Sequence, residues 1–417
     1  MGVENVNMKR PALLFVINDI RPGGAEMFMF RLAAYLQDSF SIFILSLSPD
    51  QDDEHFVGQF TGKQEFERLC LPRLKEDSWK NRLFWKLNAI AFRFGYAGLH
   101  RKLRTWEEQR LLGQCLKHRN IRAVNSSSSR SDAFSARVLK NKFGIPLIIT
   151  MHSSYNPDCW NDFGDSNQLK ETCNEIFSAA DHVFYTADEN ILIFKELNLN
   201  LGIQLEKCYL GYHPPETSGL TFPQGLGIPS NAPLFCMMAR GIPEKGWACA
   251  VSAFLMLMQE VPEAHLILIS TETAHIAELR ENCIANPNIH FLGFQPFPAP
   301  LLARASATLL PSHFAESLPY AIIESLAVGT PVFATPIAEI PQMLETHLGT
   351  AGAIIPIDST GKAIDQELFR LLKVACTQPD QLALWKQAAK SAFEEKFSMQ
   401  VCGDRYKTLI TTVIDGK

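Results

Sequence analysis

The sequence of 417 residues lacks the features that mark membrane-spanning, secreted and zinc-binding proteins. No run approaches eighteen uninterrupted apolar residues, so we predict no transmembrane helix. The opening MGVENVNMKR and the short apolar run after it, which ends at Asn18-Asp19, do not form a signal-peptide pattern. The ten cysteines include no CxxC pair and no Cys/His cluster at zinc-ligand spacing. These absences favour a reducing cytoplasm and argue against a structural metal site.

Charge is unevenly distributed along the chain. The formal net charge is −5, yet residues 63–122 hold fifteen Lys and Arg against six Asp and Glu. Large aromatic residues are interleaved with these basic ones, namely Trp79, Phe84, Trp85, Phe92, Phe94, Tyr96 and Trp106. Such a segment suits an anionic membrane surface or an anionic acceptor, and equally a solvated helical face over core aromatics. The chain as a whole is acidic and has no nucleic-acid-reading motif, so we expect no nucleic-acid partner.

Strands and helices alternate throughout the chain. In the first 210 residues, predicted strands lie at 12–19, 40–48, 121–125, 145–151, 181–186 and 207–212, with helices at 25–37, 111–120, 132–144 and 171–180. A second series begins at 234–239 and continues with strands at 264–270, 289–294 and 307–311. This alternation predicts an α/β protein made of two Rossmann-like, doubly wound domains.

The stretch between the two series is rich in Pro and Gly and has no helical or strand period. We therefore predict a first domain at 1–210, a linker at 211–232 and a second domain at 233–395. A C-terminal helix at 396–417 is expected to pack back on the first domain. Ligands of such sheets bind at the carboxyl ends of the strands, so a cleft between the two facing domains is the expected site.

The segment 311–335, PSHFAESLPYAIIESLAVGTPVFAT, predicts a loop, a helix, a turn and a short buried strand. Pro319 suits the start of a helix, and Gly329 suits a left-handed cap at its end. Glu316 falls in the loop and Glu324 falls in the helix. The helix N-terminus favours a phosphate, and the two carboxylates can accept hydrogen bonds from sugar hydroxyls. The segment therefore predicts a nucleotide-sugar site.

Two cations follow the first strand of the second series. Arg240 and Lys245 lie on the loop ARGIPEKG, at what we predict to be the carboxyl end of that strand. Arginine offers a bidentate fork and lysine a point charge, so together they can neutralise a diphosphate. The alternative is that both are ordinary exposed surface cations. The predicted phosphate site in the segment 311–335 disfavours this alternative.

In the first series, His152 and the pair Gly23-Gly24 are the candidate site residues. His152 follows a strand and can bond a sugar hydroxyl or a phosphate oxygen, or move a proton, although a loop histidine satisfied by backbone is equally compatible. Gly23-Gly24 closes the first strand–helix turn and permits close approach of a ligand. The pair is not part of a GxGxxG fingerprint, and an ordinary helix entry is the alternative.

Two further motifs are rejected. Asp50-Gln51-Asp52 superficially matches a DxD metal motif but lies in a polar loop far from the other candidates. Ser126–Ser129 invites a nucleophile interpretation, yet no GxSxG elbow is present. We interpret both as structural loops.

Taken together, these residues resemble glycosyltransferase family 4, the retaining enzymes of the GT-B fold. The resemblance rests on ARGIPEKG (239–246), FLGF (291–294) and the long segment 311–335, in which seven residues separate the two glutamates. GGAE (23–26) and His152 also match. Departures are the sequence TET at 271–273 in place of a Gly-rich turn, AEIPQ at 338–342 in place of a frequent GGIPE, and a serine at 317 in place of a common glycine.

The resemblance implies a role for each candidate residue. It implies that Glu316 faces the donor hexose, that Glu324 holds the ribose, and that the backbone of the helix start binds the diphosphate, at Ser317, Leu318 and Pro319. Arg240 and Lys245 would stabilise the leaving nucleoside diphosphate in place of a divalent metal.

The remaining implied roles concern the base, the transferred sugar and the phosphates. Phe294 would belong to the strand that leads to the base pocket, and His152 would contact the transferred sugar. Gly23 and Gly24 would admit the donor phosphates or the acceptor.

The resemblance also implies an activity. We expect a retaining hexosyltransferase without a required cofactor or metal, which uses a UDP-sugar, or a GDP-sugar as the alternative, and a glycan or lipid-linked acceptor. Its expected location is the cytoplasm, with peripheral contact to the inner face of the cytoplasmic membrane through the basic segment. The alternatives are a catalytically silent scaffold subunit, and an epimerase or a phosphorylase of the same fold.

Overall fold

The computed structural model describes residues 10–21, 23–61, 66–70, 109–126, 130–152, 166–199, 202–214, 222–313 and 317–416, with four single residues between 86 and 106. The chain divides into two compact units. The first comprises residues 1–186, 190–208 and 403–417, and the second comprises residues 187–189 and 209–402. Most of the basic, aromatic segment lies outside the described residues. Within the described parts of the chain, no helix is both long and apolar enough to cross a bilayer.

The first unit is built on a parallel sheet. In its described residues the strands are β1 (Ala12–Ile17), β2 (Ser41–Ser46), β3 (Phe66–Cys70), β4 (Ile121–Ser126), β5 (Leu147–Met151), β6 (His182–Tyr185) and β7 (Gln204–Lys207), in the order β3-β2-β1-β4-β5-β6-β7. The helices are α1 (Gly24–Leu36), α2 (Glu54–Thr61), α3 (Arg130–Phe143), α4 (Ser166–Phe177) and α5 (Leu192–Glu196), and residues 109–115 are also helical. The prediction of a doubly wound sheet is confirmed.

The sheet order follows from the burial pattern of the strands. All six residues of β1 are buried, as expected for a central parallel strand that is covered on both faces. The edge strands β3 and β7 are more exposed and carry charged residues, which blunts the open edges of the sheet.

Both edge strands were mispredicted from the sequence. We predicted the last strand at 207–212, but β7 is Gln204–Lys207, and Tyr212 forms only an isolated bridge with Ser398. The prediction followed the apolar run CYL, whereas the real edge strand is polar. β3 was not predicted because its sequence, FERLC, opens the charged segment and has little apolar alternation.

The second unit contains the other parallel sheet. Its strands are β8 (Leu234–Met238), β9 (His265–Ile269), β10 (Ile289–Leu292), β11 (Ala307–Leu310), β12 (Val332–Ala334) and β15 (Gly352–Ile354), in the order β10-β9-β8-β11-β12-β15, and β13 (Glu345–Thr346) and β14 (Gly349–Thr350) form a separate hairpin. The helices are α6 (Trp247–Met258), α7 (Ala274–Cys283), α8 (Ala299–Arg304), α9 (Tyr320–Ala327), α10 (Ile340–Leu344), α11 (Asp365–Thr377) and α12 (Pro379–Ala392).

The last helix, α13 (Met399–Asp415), begins in the second unit and continues into the first. Within the first unit it packs on α1 at Gly403, where a Cβ atom would lie 2.4 Å from the ring of Tyr35. A larger residue at 403 would therefore push this helix away from α1.

Each sheet has one point at which the order of its strands reverses. In the second unit, β8 lies between β9 and β11, which pair with it at Phe235↔Leu266 and Leu309↔Met237. The chain runs outward from β8 in one direction and then restarts at β11 in the other. The loops after β8 and β11 therefore diverge at the carboxyl ends of the strands, where open α/β sheets bind ligands.

Candidate functional site

Two loops at this switch point of the second unit are bound to each other. The peptide oxygen of Glu244 accepts a hydrogen bond from the N–H of His313 at 2.9 Å and from Oγ of Ser312 at 3.3 Å. Glu244 belongs to the short 3₁₀ turn Pro243–Lys245, so the turn that carries Lys245 is fixed to the start of the loop after β11. Lys245 as a whole residue is 4% exposed.

Gly246 allows this close approach. Its φ is +81°, and a Cβ atom on it would lie 2.0 Å from the peptide oxygen of Pro311. Any other residue would collide with backbone and also occupy a left-handed conformation that L-residues disfavour. The last glycine of ARGIPEKG therefore sets the distance between the two loops.

A threonine in the loop after β9 forms a hydrogen bond with the loop after β8. Oγ1 of Thr273 donates to the peptide oxygen of Gly241 at 2.6 Å and accepts from the N–H of Ile276 at 3.2 Å as the N-cap of α7. A Cβ atom on Gly241 would lie 2.7 Å from this Oγ1. The side chain of Arg240, the residue before, is exposed, and its peptide oxygen accepts from Nε1 of Trp247 at 2.9 Å.

The helix predicted between the two glutamates is α9. Pro319 is its N-cap, one residue before the first helical residue, and Gly329 ends it with a φ of +75°. The N–H of Gly329 bonds the oxygen of Leu326, and the N–H of Thr330 bonds that of Ser325, each at 2.9 Å. These two bonds form a Schellman cap, which confirms the predicted helix end.

The candidate binding residues surround the start of α9. Leu318 is buried, Ser317 and Pro319 are half-buried, and Glu324 is a half-buried residue of the second helical turn. Glu316 lies outside the described residues. Neither Thr273 nor Gly246 was predicted as a site residue from the sequence, although Gly246 belongs to the motif ARGIPEKG and Thr273 to the departure at 271–273.

Phe294 follows β10, the outermost strand on one side of the sheet. We predicted this strand at 289–294, but it ends at Leu292, so the last two residues of FLGF lie beyond it. Phe294 is 67% exposed and Phe297 is 78% exposed. The loop therefore presents two uncovered aromatic rings after β10.

In the first unit, the structure brings the start of α1 to His152. Gly23 is the N-cap of α1, and a Cβ atom on it would lie 2.3 Å from Oε2 of Glu26, while Gly24 is the first helical residue and is exposed. Phe28, one turn further on, meets the imidazole of His152 with ring centroids 5.7 Å apart. The sequence predicted these two turns separately and gave no sign of their contact.

His152 lines a small cavity beside β1 and β4. The other lining residues are apolar except one, and they are Phe15, Val16, Phe28, Met29, Leu32 and Asn125. Burial lowers the pKa of His152 to about 4. Its Nδ1 has no hydrogen-bond partner among the described residues. The imidazole is therefore neutral near pH 7 and available for hydrogen bonding rather than as a cation.

The low pKa of His152 predicts a pH-dependent stability. Below pH 6.5 the unfolded chain binds a proton that the folded state refuses, so the free energy of unfolding should fall by about 2 kcal/mol between pH 6.5 and pH 5 from this group alone. Urea unfolding of the first unit at the two pH values measures it. In His152→Gln, the decrease in the free energy of unfolding between the two pH values should be smaller by about 2 kcal/mol. In the control His55→Gln, which replaces an exposed histidine, the decrease should equal that of the unaltered chain. Parallel losses in all three proteins would contradict the assignment.

The structure is consistent with a structural role for the described parts of the two rejected motifs. Oδ1 of Asp52 accepts from the N–H of Ile20 at 2.7 Å and from Oγ of Ser46 at 2.9 Å, and Oδ2 pairs with Arg68. This aspartate therefore ties the loops after β1 and β2 to β3. The described residues contain no group of three or more His, Cys, Asp or Glu that could hold a metal ion. Ser126 is buried at the end of β4, and residues 127–129 lie outside the described residues.

Residues 220–390 match the family model described as Glycosyl transferases group 1. The chain is also similar to N-acetyl-alpha-D-glucosaminyl L-malate synthase of Bacillus anthracis, with 29% identity over 166 residues. That match covers 39% of this chain and 41% of the relative, so less than half of the curated relative's length is spanned.

Solved structures resemble the chain over nearly its whole length. HepE of Anabaena, solved in complex with UDP and glucose, has a TM-score of 0.70 at 15% identity, and the match covers 97% of this chain and 100% of HepE. WaaG, a glycosyltransferase involved in lipopolysaccharide biosynthesis, has a TM-score of 0.60 at 15% identity, with 96% and 99% covered. At these identities the likeness shows the fold.

Proposed function

We propose that this chain transfers a sugar from a nucleoside-diphosphate donor to an acceptor, which the match of residues 220–390 to the glycosyl transferases group 1 model supports. The GT-B fold and the membership of a glycosyltransferase family are confirmed at this level. Retention of configuration, a hexose as the transferred sugar and independence of metal are parts of the proposal.

One observation carries the proposal. The turn of Lys245 is bound through Glu244 to the loop that leads into α9, at the switch point of the second sheet. A buried lysine and the positive end of the α9 dipole thus belong to two segments whose loops are fixed to each other. Such an arrangement stabilises the negative charge that develops on a leaving diphosphate, and it is preorganised before the donor binds.

The other candidates take roles consistent with their positions. We assign the ribose hydroxyls to Glu324, the diphosphate to Arg240 and Lys245 and to the backbone at Ser317–Pro319, and the base to the loop of Phe294. Glu316 is assigned to the donor hexose. In the first unit, we assign the transferred sugar to His152 and the phosphates or the acceptor to the turn at Gly23 and Gly24.

The donor we propose first is a UDP-sugar, because HepE was solved with UDP and glucose. A GDP-sugar is the second choice. We propose a glycan or lipid-linked acceptor, which is supported by the named role of WaaG in lipopolysaccharide biosynthesis. Peripheral contact with anionic membrane from the cytoplasmic side, through residues 63–122, belongs to the same proposal.

A donor panel tests the proposed transfer. Release of nucleoside diphosphate would be measured with UDP- and GDP-sugars, with glycan and lipid-linked acceptors, and with EDTA present. We expect acceptor-dependent release that EDTA does not abolish, and a larger thermal shift with UDP than with GDP. Failure of every donor to be turned over, together with no thermal shift by either nucleotide, would refute the proposal. A product formed without acceptor would instead indicate epimerisation.

The role of Glu324 gives a separate prediction. Replacing Glu324 with alanine removes an acceptor for two ribose hydroxyls and should weaken UDP binding by about ten- to hundredfold, the loss expected for hydrogen bonds to a charged group. Calorimetric titration with UDP measures the change. The control Glu278→Ala removes an exposed helical carboxylate from α7 and should leave the affinity unchanged. Equal affinities of the two variants would exclude Glu324 from the ribose site.

A further inference from the structure

His152 lies at one end of a column of aromatic side chains in the first unit. The ring of Phe28 meets the imidazole nearly edge-on, at 64°, with 5.7 Å between centroids. The phenol ring of Tyr406 lies 5.5 Å from Phe28 and 4.1 Å from Phe184. Phe28 is 2% exposed, and Tyr406 and Phe184 are fully buried. Close packing on this scale leaves the imidazole few alternative orientations.

Tyr406 is also connected to His152 through the strand that precedes it. Its hydroxyl donates to Oγ1 of Thr150 at 3.3 Å, and Thr150 lies two residues before His152. The same Oγ1 accepts from Nδ2 of Asn125 at 3.1 Å, and Asn125 lines the cavity next to the imidazole. Tyr406 therefore braces both the ring that touches His152 and the end of β5 that carries it.

We propose that Phe28 and Tyr406 are positioning residues that fix the imidazole of His152 for its contact with the transferred sugar. The inference rests on the proposed role of His152 in sugar transfer. The proposal also gives a functional reason for the packing of α13 in the first unit, because Tyr406 of this helix packs against Phe28. A displacement of about 1 Å in a contact with reacting groups can cost a hundredfold in rate, so the column acts on the rate without touching the donor.

Orientation matters here more than charge. The cavity around His152 is apolar apart from Asn125, and a neutral imidazole contributes only where its nitrogen points at a hydrogen-bonding partner. A loosened ring would lose that alignment while the donor's nucleotide still bound to the second unit. Loss of positioning should therefore lower kcat and leave the KM for the donor nearly unchanged.

A double-mutant cycle tests the coupling of Phe28 to His152. Phe28→Leu keeps an apolar side chain but removes the ring, and should lower kcat by about tenfold. In the background of His152→Ala, the same change should have no further effect, because the group that it positions is gone. Losses that multiply in the double variant would show that Phe28 acts independently of His152 and would overturn the proposal.

Two tyrosines of the first unit supply a matched pair of variants. Tyr406→Phe removes the hydroxyl that bonds Thr150 and should lower kcat by about threefold or more. Tyr35→Phe removes a hydroxyl that bonds Oδ1 of Asp404 at 2.6 Å, a link between α1 and α13 on the exposed side. This control should leave kcat unchanged. Equal losses in both variants would indicate only a weakened attachment of the helix, contrary to the proposal.

A spectroscopic measurement separates this inference from the proposed transfer. The imidazole ¹⁵N resonances of His152, assigned by their absence from His152→Gln, need no donor or acceptor. These resonances should shift in Phe28→Leu and Tyr406→Phe and should not shift in Tyr35→Phe. Thermal unfolding of each variant verifies that the variant is folded. Unmoved resonances in both variants would overturn the positioning. A chain that turns over no donor but shows these shifts would refute the transfer alone.

Discussion

Replacing Lys245 with alanine is expected to lower the rate of sugar transfer by about three orders of magnitude. Lys245 is buried, and its turn is fixed to the start of the loop after β11, so we expect its charge to be held in place before the donor arrives. Fixed charges of this kind act on the charge that develops as the glycosidic bond breaks. The loss should therefore appear in kcat more than in the KM for the donor. Steady-state kinetics with the best donor of the panel measures it.

The control for this variant is Lys373→Ala. Lys373 is an exposed lysine whose Nζ pairs with Glu260 at 2.6 Å on the surface of the same unit. Surface pairs contribute little, so stability and rate should both stay close to those of the unaltered chain. An equal effect of the two substitutions, or a Lys245→Ala protein with normal kcat, would remove Lys245 from the reaction.

Replacing Gly246 with alanine is expected to destabilise the second unit by at least about 3 kcal/mol. A Cβ atom there would lie 2.0 Å from the peptide oxygen of Pro311, and the φ of +81° adds the strain of a left-handed residue. Relief requires the loops after β8 and β11 to separate, which moves the turn of Lys245 away from the loop after β11. UDP binding should therefore be lost together with stability, as measured by urea unfolding and by calorimetric titration.

Gly227→Ala isolates the clash from the backbone strain. Gly227 has a similar φ of +64°, but no atom lies within 4 Å of a Cβ built on it. We expect this control to cost about 1 kcal/mol, the typical penalty for an alanine in this conformation, with no change in UDP binding. If Gly246→Ala cost no more than Gly227→Ala, the close approach of the two loops would not be needed.

The central elements were predictable because their patterns are local. β1, β5 and β8 are runs of apolar residues with the length of a strand, and the Schellman cap at Gly329 follows from a glycine after an apolar helix. The edge strands were not predictable in the same way. β3 and β7 are polar, and they are strands because a neighbouring strand offers them backbone partners.

The candidate site shows the same division. Arg240, Lys245 and Glu324 could be chosen from the sequence because each lies in a motif whose spacing indicates a loop or a helix start. Phe28 and Thr273 could not be chosen, because a buried phenylalanine and an N-cap threonine have common structural explanations. Their relation to the site appears only through contacts with residues that are distant in the chain.

The sequence by itself determined the class of fold, the match of residues 220–390 to a glycosyltransferase family model and the residue types available for a diphosphate and a sugar. Those conclusions rest on short-range information, such as strand-length apolar runs, a cap, or two cations on one loop. Only the tertiary structure decided that Gly246 must meet Pro311 and that Tyr406 supports His152 across 254 positions of chain. The physical reason is that close packing brings together side chains that are distant in the chain. Which ones meet depends on the order of the strands in the sheet and on the packing of α13 in the first unit, and no single segment of sequence specifies either.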